Sequence, residues 1–405
     1  MKTDRTSRAT DRRTSATVHS LRQHNRAQAL TEIVLAGSIT RSEIAERAGL
    51  SLASVTKIVV DLIAEGLVSE VGSRASRGGR PIAVLSPCAE GALFIGADVG
   101  ERGVAVELFD LTMTRIDREF SGGREEEDPT AISRDLTDAV AALRERNLER
   151  WPTLRGVGLG LPGVVEGLPG EGQTLYAQTL GWPAIAVSDL LALDVPVFAD
   201  NGSKTLAKAE QWFGAARGVD YAAIALLGRG VGLGMVLAGE VQRGSASSAS
   251  EWGHVKVASE GRWCRCGQQD CLEAYVGADA ILEQWRERGG KFEGSGWRAI
   301  GQLLEADAAG DPEAAAVVNA VVFHLGRALG SIVNVANPQR VVVGGWVGLR
   351  LMEFLAARIE ESARANSLAR PGAQFEFFPA TFGGDTVALG AAIMPLESVI
   401  AGPGT

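Results

Sequence analysis

Two stretches about 130 residues apart repeat one layout. "GALFIGADVGERGVAVELFDL" (91–111) and "YAAIALLGRGVGLGMVLAGEV" (221–241) each read as an apolar strand, a glycine turn and a second strand. One such turn alone is an ordinary hairpin. Here the first copy is followed by a helical pattern over about 129–147, a strand ending in "GLGLPG" and a strand "VPVFAD". The second copy is followed by helices and by "RVVVGG", a strand opening into a glycine turn. Two halves built alike predict a duplicated α/β fold around a central cleft. A chain of 405 residues exceeds one ordinary core, so further domains are expected. It has no run of eighteen uninterrupted apolar residues, and no membrane span is expected.

Charge divides the chain. Residues 1–85 carry thirteen Lys/Arg against eight Asp/Glu, a balance of +5; with a total of −9, the remainder carries −14. A basic head on an acidic body implies that the head meets a polyanion. Residues 1–16 are polar and basic, lack an apolar stretch, and read as a disordered arm rather than a secretion signal. Residues 21–36 have helical periodicity and stop at Gly37. "TRSEIAERAG" sets Thr40 and Glu43 at capping-box spacing and ends at Gly49. "LSLASVTKIVVDLIAEG" has Ser51 as N-cap, a stop at Gly66, and an apolar stripe of Leu50, Val55, Ile58, Leu62 and Ile63. This is a helix-turn-helix whose third helix opens with Ser51, Ser54, Thr56 and Lys57, the end that reads base edges in a major groove. Arg41 is a further DNA-contact candidate. "LVSEVGSRASRGGRPIAVL" reads as two strands around a wing loop carrying Arg74, Arg77 and Arg80, suited to a minor groove. The winged helix-turn-helix is placed at 17–85.

Three of the four cysteines lie in "CRCGQQDC" (264–271). Few cysteines and no leader imply a reducing cytoplasm, where a cysteine cluster favours metal over disulfides.

These motifs, in order from about residue 15 to about 397, resemble the ROK family (repressor, open reading frame, kinase). The resemblance implies a sugar-kinase/actin-like, ribonuclease H-like body at 91–397. Its two lobes would be about 91–200 plus the C-terminal end, and about 201–380. The head resembles the winged helix that only the regulator branch carries; the family's sugar kinases begin near residue 91. "EWGH" with the cysteine run is similar to the family's zinc signature, a Gly-His pair followed by C-x-C-G-x-x-G-C-x-E. His254, Cys264, Cys266 and Cys271 then make a closed tetrahedral set for one structural zinc per chain, in the loop 254–271. Asp270 stands where the family has glycine. The resemblance further implies sugar contacts from Pro162, Gly163, Asn201, Glu251, His254 and Glu273.

The kinase machinery departs from the family. Aligning "VFADNGSKTLAKAEQWFGAARG" on Glu210 puts Asn201 in the Asn position and Gly202 in that of the catalytic Asp. Asp200 is a poor substitute, because adjacent strand residues face opposite ways. "DVGERG" keeps Asp98 and Gly100 but has Arg102 in the Thr place; "GRGVG" has Arg229 there, so the resemblance implies two bulky arginines where ATP phosphates would sit. Trp346 in "VVVGGW" is expected to crowd an adenine. No residue is therefore assigned as catalytic, and ATP is not expected. The reading is a cytoplasmic, sugar-responsive DNA-binding repressor, a homodimer or tetramer on double-stranded operator DNA. "EAAAVVNAVVFHLGRALGSIVNVAN" is a candidate interface or a core helix, with His324 packed inside. The alternatives are an active ROK sugar kinase with an added DNA-binding domain, and a DNA-binding protein that has lost its ligand.

Overall fold

The computed structural model describes residues 6–75, 81–100, 103–122, 128–167, 172–259, 261–383 and 386–402, with side chains in the first helix from Leu21. The head contains α1 (Thr6–Ala36), β1 (Ile39–Thr40), α2 (Arg41–Ala48), α3 (Leu52–Ala64), β2 (Val68–Arg74) and β3 (Ile82–Pro87). The basic segment expected as an unstructured arm is instead helical from Thr6. Nothing in residues 1–36 stops a helix, because neither glycine nor proline occurs there. The capping box forms: the Glu43 amide donates to Thr40 Oγ1 at 3.3 Å and the Thr40 amide to Glu43 Oε2 at 2.7 Å. Gly49 closes α2 at φ +66°. Ser51 caps α3, whose buried stripe is Val55, Val59 and Leu62. Ile63, expected inside, is exposed, because Val59 holds the inward position four residues after Val55.

The first sheet of the body gathers β4 (Leu93–Gly100), β5 (Gly103–Asp110) and β6 (Arg115–Gly122). After α4 (Pro129–Arg146) it gains β7 (Leu154–Leu161). A small sheet of β8 (Val164–Glu166), β9 (Thr174–Tyr176) and β10 (Ile185–Ala186) follows, then α5 (Val187–Leu190). The last strand of the first sheet is β11 (Val197–Asn201), which runs directly into α6 (Gly202–Phe213). The second sheet begins with β12 (Ala222–Leu227), β13 (Val231–Leu237) and β14 (Glu240–Val241). Helices α7 (Glu273–Val276), α8 (Ala278–Glu287), α9 (Gly296–Ala308) and α10 (Pro312–Ala336) intervene before β15 (Arg340–Gly344). Then come α11 (Gly345–Ala365), α12 (Ala369–Gln374), β16 (Glu376–Pro379) and α13 (Thr386–Ala401).

The two sheets have one topology. Their orders are β11-β7-β4-β5-β6 and β14-β13-β12-β15-β16. In each, the opening strand pairs antiparallel with the second strand and parallel with the fourth, which pairs parallel with the fifth. The duplication expected from the glycine-turned hairpins is therefore visible strand by strand.

Small residues bring α13 onto the first sheet and onto α6. A Cβ on Gly158 would lie 1.9 Å from Ala391 O, and one on Gly390 would lie 1.7 Å from Thr205 O, so backbone meets backbone at both points. The other side of α13 belongs to the head. Leu30 and Ile33 of α1, with Leu62 of α3, share one buried cluster with Phe94 of β4 and with Leu389, Ile393, Leu396 and Ile400 of α13. Each fully buried side chain of that size contributes roughly 1.5–3 kcal/mol, so the head is built into the body rather than strung from it. Helix α10 is long and apolar enough to cross a membrane by length and composition, but 67% of its most apolar window is buried inside the protein. His324 is packed there against Tyr275, with ring centroids 4.4 Å apart.

Candidate functional site

A cavity of about 870 Å³ opens between the lobes. Its walls are the ends of strands and the starts of helices, where ligand sites of open α/β sheets form. All six sequence-predicted ligand residues line it: Pro162 and Gly163 after β7, Asn201 at the β11–α6 junction, and Glu251, His254 and Glu273 from the second lobe. Asn201 caps α6. Its Oδ1 accepts from the Ser203 amide at 2.8 Å, and its Nδ2 donates to Gly163 O at 2.7 Å. That bond ties the Pro162–Gly163 turn to the helix start. Glu273 Oε2 accepts from the Val231 amide at 3.0 Å, fixing this carboxylate to the second glycine turn. Burial pushes the Glu251 carboxyl above the usual range, and the charges of Lys204 and His254 pull it back.

Gly202 also lines the cavity. A Cβ built on it has its nearest neighbours at 3.8 Å, from Leu226 and Val387. Its φ is not positive. Neither space nor backbone therefore requires glycine there. Asp200, two residues before Gly202, is not among the residues that line the cavity. It is buried, and its carboxylate meets Arg243 Nη2 at 2.7 Å. Its neighbour Asn201 lines the cavity, so the alternation of β11 turns the Asp200 carboxylate to the other side, toward Arg243.

Arg229 corrects one expectation. Its side chain does not fill the phosphate side of the cleft; Nε donates to Asp279 Oδ2 at 2.7 Å on α8. The glycines around it line the cavity, but the guanidinium is held by an acidic partner outside. Arg102 lies outside the described residues. Trp346 lines the cavity.

His254, Cys264, Cys266 and Cys271 come together with their ligand atoms within 4.8 Å of one another. His254 Nδ1 lies 3.7 Å from Cys264 Sγ, and Cys266 Sγ lies 3.7 Å from Cys271 Sγ. Tetrahedral bonds of about 2.3 Å to sulfur and about 2.0 Å to nitrogen require separations of roughly 3.8 Å and 3.5 Å, so the donors fit a zinc ion. Without a metal, burial pushes the Cys264 and Cys271 thiols up. Asp270 adopts φ +62°, the left-handed conformation a glycine would take freely. Its Oδ1 accepts from Tyr275 Oη at 2.6 Å and from the Gly261 amide at 2.9 Å, which offsets that cost.

In the head, Ser51, Thr56 and Lys57 are exposed at the start of α3, and Lys57 makes no ion pair among the described residues. Ser54 is half-buried, and its amide is used by the Ser51 cap. Arg41 and Arg74 are tied inside the head, to Glu70 at 2.7 Å and to Glu43 at 3.0 Å. These pairs hold α2 to the wing and leave less charge free for a polyanion. Arg77 and Arg80 lie outside the described residues. Sequence reading missed exposed Leu52 and Val60 on the same face of α3, because apolar residues there read as core. It also missed Lys204 and Arg243 behind the cleft; a lysine inside "NGSKTLAKAE" reads as a solvated helix residue.

Residues 94–397 match the ROK family. The chain is 30% identical over 339 residues to the DNA-binding transcriptional dual regulator NagC of Escherichia coli (strain K12), covering 81% of this chain and 82% of that one. A ROK family transcriptional regulator described as a homolog of the E. coli MLC protein matches in structure with a TM-score of 0.76 at 24% identity, over 94% of this chain and 98% of that one. A ROK family glucokinase from Streptomyces griseus, solved with glucose and AMPPNP, matches with a TM-score of 0.65 at 25% identity. That match covers 99% of the glucokinase but only 75% of this chain, so a whole kinase of this kind is shorter than the protein by about the length of the head.

Proposed function

The chain belongs to the ROK family, and on that premise we propose that it is a sugar-responsive, DNA-binding transcription regulator that represses and has lost phosphotransfer. The observation that carries the loss is Gly202. The cleft keeps Asn201, Glu251, His254 and Glu273, and a carboxylate would fit at 202, yet none is there. A hydroxyl of a bound sugar would have no base to take its proton. What the remaining groups do is accept and donate hydrogen bonds to a polyol. Such a site separates stereoisomers strongly, because a missing partner leaves buried polar groups unpaired.

His254, Cys264, Cys266 and Cys271 would hold one structural zinc, all four positions being taken by protein. His254 through its other ring nitrogen, and Glu273 two residues after Cys271, then stand at fixed places in the sugar wall. DNA contact falls to the start of α3, with Ser51, Ser54, Thr56 and Lys57 toward base edges and Leu52 and Val60 suited to thymine methyls. Arg77 and Arg80 of the wing would supply charge beside α3, while Arg41 and Arg74 are already paired with Glu70 and Glu43. A homodimer or tetramer would present two such helices to two half-sites. The exposed apolar side chains Phe323 and Val335 of α10, 50% and 88% exposed, would offer surface for it. The protein works in the cytoplasm with the DNA.

The rival is an active sugar kinase carrying a DNA-binding head. A coupled assay of ATP consumption over a panel of hexoses, pentoses and amino sugars separates the two. Our reading gives no sugar-dependent turnover and a sugar-dependent loss of operator binding. Turnover at ordinary kinase rates would replace it with the rival.

A further inference from the structure

Lys204 sits where a lysine is disfavoured twice. It is the third residue of α6, in the first turn, where the helix dipole opposes a cation. Its side chain is 1% exposed, and burying an ammonium needs compensation. Local conflicts of this kind concentrate at functional places. The compensation is specific. Lys204 Nζ donates to Ser247 O at 2.5 Å, with Asp200 and Glu251 as the nearby opposite charges. Asp200, four residues earlier and also buried, holds Arg243 Nη2 at 2.7 Å. Arg243 Nη1 is buried without a hydrogen-bond partner among the described residues, a second cost.

Both contacts grip one loop. Arg243 begins it, Ser247 is its middle, and the segment "GSASSAS" (244–250) leads into Glu251. Ser248, Ser250 and Glu251 line the cavity. The loop has no helix or strand of its own, and two non-glycine residues hold left-handed backbone, Ser247 at φ +57° and Ser250 at φ +69°. Such conformations persist only where the surroundings over-determine them. The Ala249 amide closes the turn on Arg243 O at 2.9 Å.

We propose that Lys204 and Arg243 are positioning residues of the ligand site, clamping the 244–250 loop from behind to the end of β11 and the first turn of α6, so that Ser248, Ser250 and Glu251 stand in place before a sugar arrives. This rests on the reading of the cleft as a sugar site. The corner that holds the loop also carries Asn201 and Gly202, so two walls of the cleft share one support. A wall set in advance spends less binding energy on ordering the loop.

The test uses the full-length, metal-loaded protein and its Lys204→Met, Arg243→Gln and Arg243→Lys variants. Lys204→Met keeps the apolar stem and removes the donor and the charge. Hydrogen exchange of amides 244–251 is followed without ligand. Affinities for D-glucose, D-xylose and N-acetyl-D-glucosamine are measured by calorimetry. We expect exchange at 244–251 to rise at least tenfold in Lys204→Met and Arg243→Gln, with β12 and β13 unchanged. Affinity for whichever of the three sugars binds the wild type should fall at least tenfold, chiefly as a less favourable entropy. Arg243→Lys should restore most of both, and operator affinity should stay within twofold. Unchanged exchange in the loop overturns the clamp. So does faster exchange spread evenly over α6, β11 and the second sheet, which marks general destabilisation. Should Lys204→Met fail to fold, the two Arg243 variants decide on the same criteria. If the loop loosens as expected but the wild type binds none of the three sugars, the clamp stands and the sugar reading loses its support.

Discussion

At the scale of single residues, the account turns on a glycine and a cysteine. Gly202→Asp should fold, since a Cβ there meets its neighbours at ordinary contact distance. It should shift sugar affinity by adding a carboxylate beside Asn201, and it should give no sugar-dependent ATP turnover. A base supplies roughly 10²–10⁴ in rate only to reactants already in position, and Arg102 and Arg229 replace the hydroxyls of both phosphate loops. Because Arg229 is turned out onto Asp279, its part is a missing hydroxyl rather than a blocked site. Turnover by the single variant in the coupled assay would show that the hydroxyls are dispensable. Cys266→Ser should lose the metal, which elemental analysis of the wild type should put at about one zinc per chain, and its Tm should fall. Protein purified without chelator and free of zinc would refute that. Zinc should also leave as pH falls, because protons compete for the three thiolates. The cluster of His254 with the three cysteines, and Gly202, were legible because they depend on residue type at fixed spacing. The clamp by Lys204 and Arg243 was not, because it depends on which side chains are carried behind a wall, and no local pattern encodes that.

At the scale of elements, α13 packs against the first sheet, α6 and the head. Thr386 and Val387 at its start line the cavity, and Lys208 of α6 pairs with Glu397 near its end at 2.6 Å. Arg26 of α1 donates through Nη1 to Val399 O at 3.1 Å and Ile400 O at 2.8 Å, while its Nη2 meets Glu65 at the end of α3 at 2.5 Å. One guanidinium thus joins the last turn of α13 to the helix that would read DNA. Arg26→Gln should leave sugar and operator each bound within a few-fold of wild type, but shrink the factor by which one alters the other. Equal coupling in the variant, read by operator titration with and without sugar, would remove Arg26 from the path. Lys57→Ala should cost about 1–3 kcal/mol of operator binding if it reaches a base edge, and leave sugar binding alone. Helix α13 escaped the sequence reading because it is apolar on every side and holds Pro395, so no amphipathic period marks it. The capping box of α2 and both glycine-turned hairpins were legible for the opposite reason: each is a local pattern with one structural solution.

At the scale of the molecule, head, first sheet, α6 and α13 share buried surface, and the cleft lies at the N-terminal ends of the same two helices. A sugar that favoured one arrangement of the lobes would therefore act on α13 and on the head it supports. The coupling must be reciprocal: whatever factor sugar takes from operator affinity, operator takes from sugar affinity, typically about 5–150-fold. The most direct measurement is the operator affinity of the full-length protein, by fluorescence anisotropy on a duplex selected by the protein itself, with and without a saturating sugar found by thermal shift. A matching calorimetric titration of sugar with and without that duplex completes it. The account predicts that both affinities fall by one common factor. A sugar that fills the cleft and leaves operator affinity unchanged would contradict it.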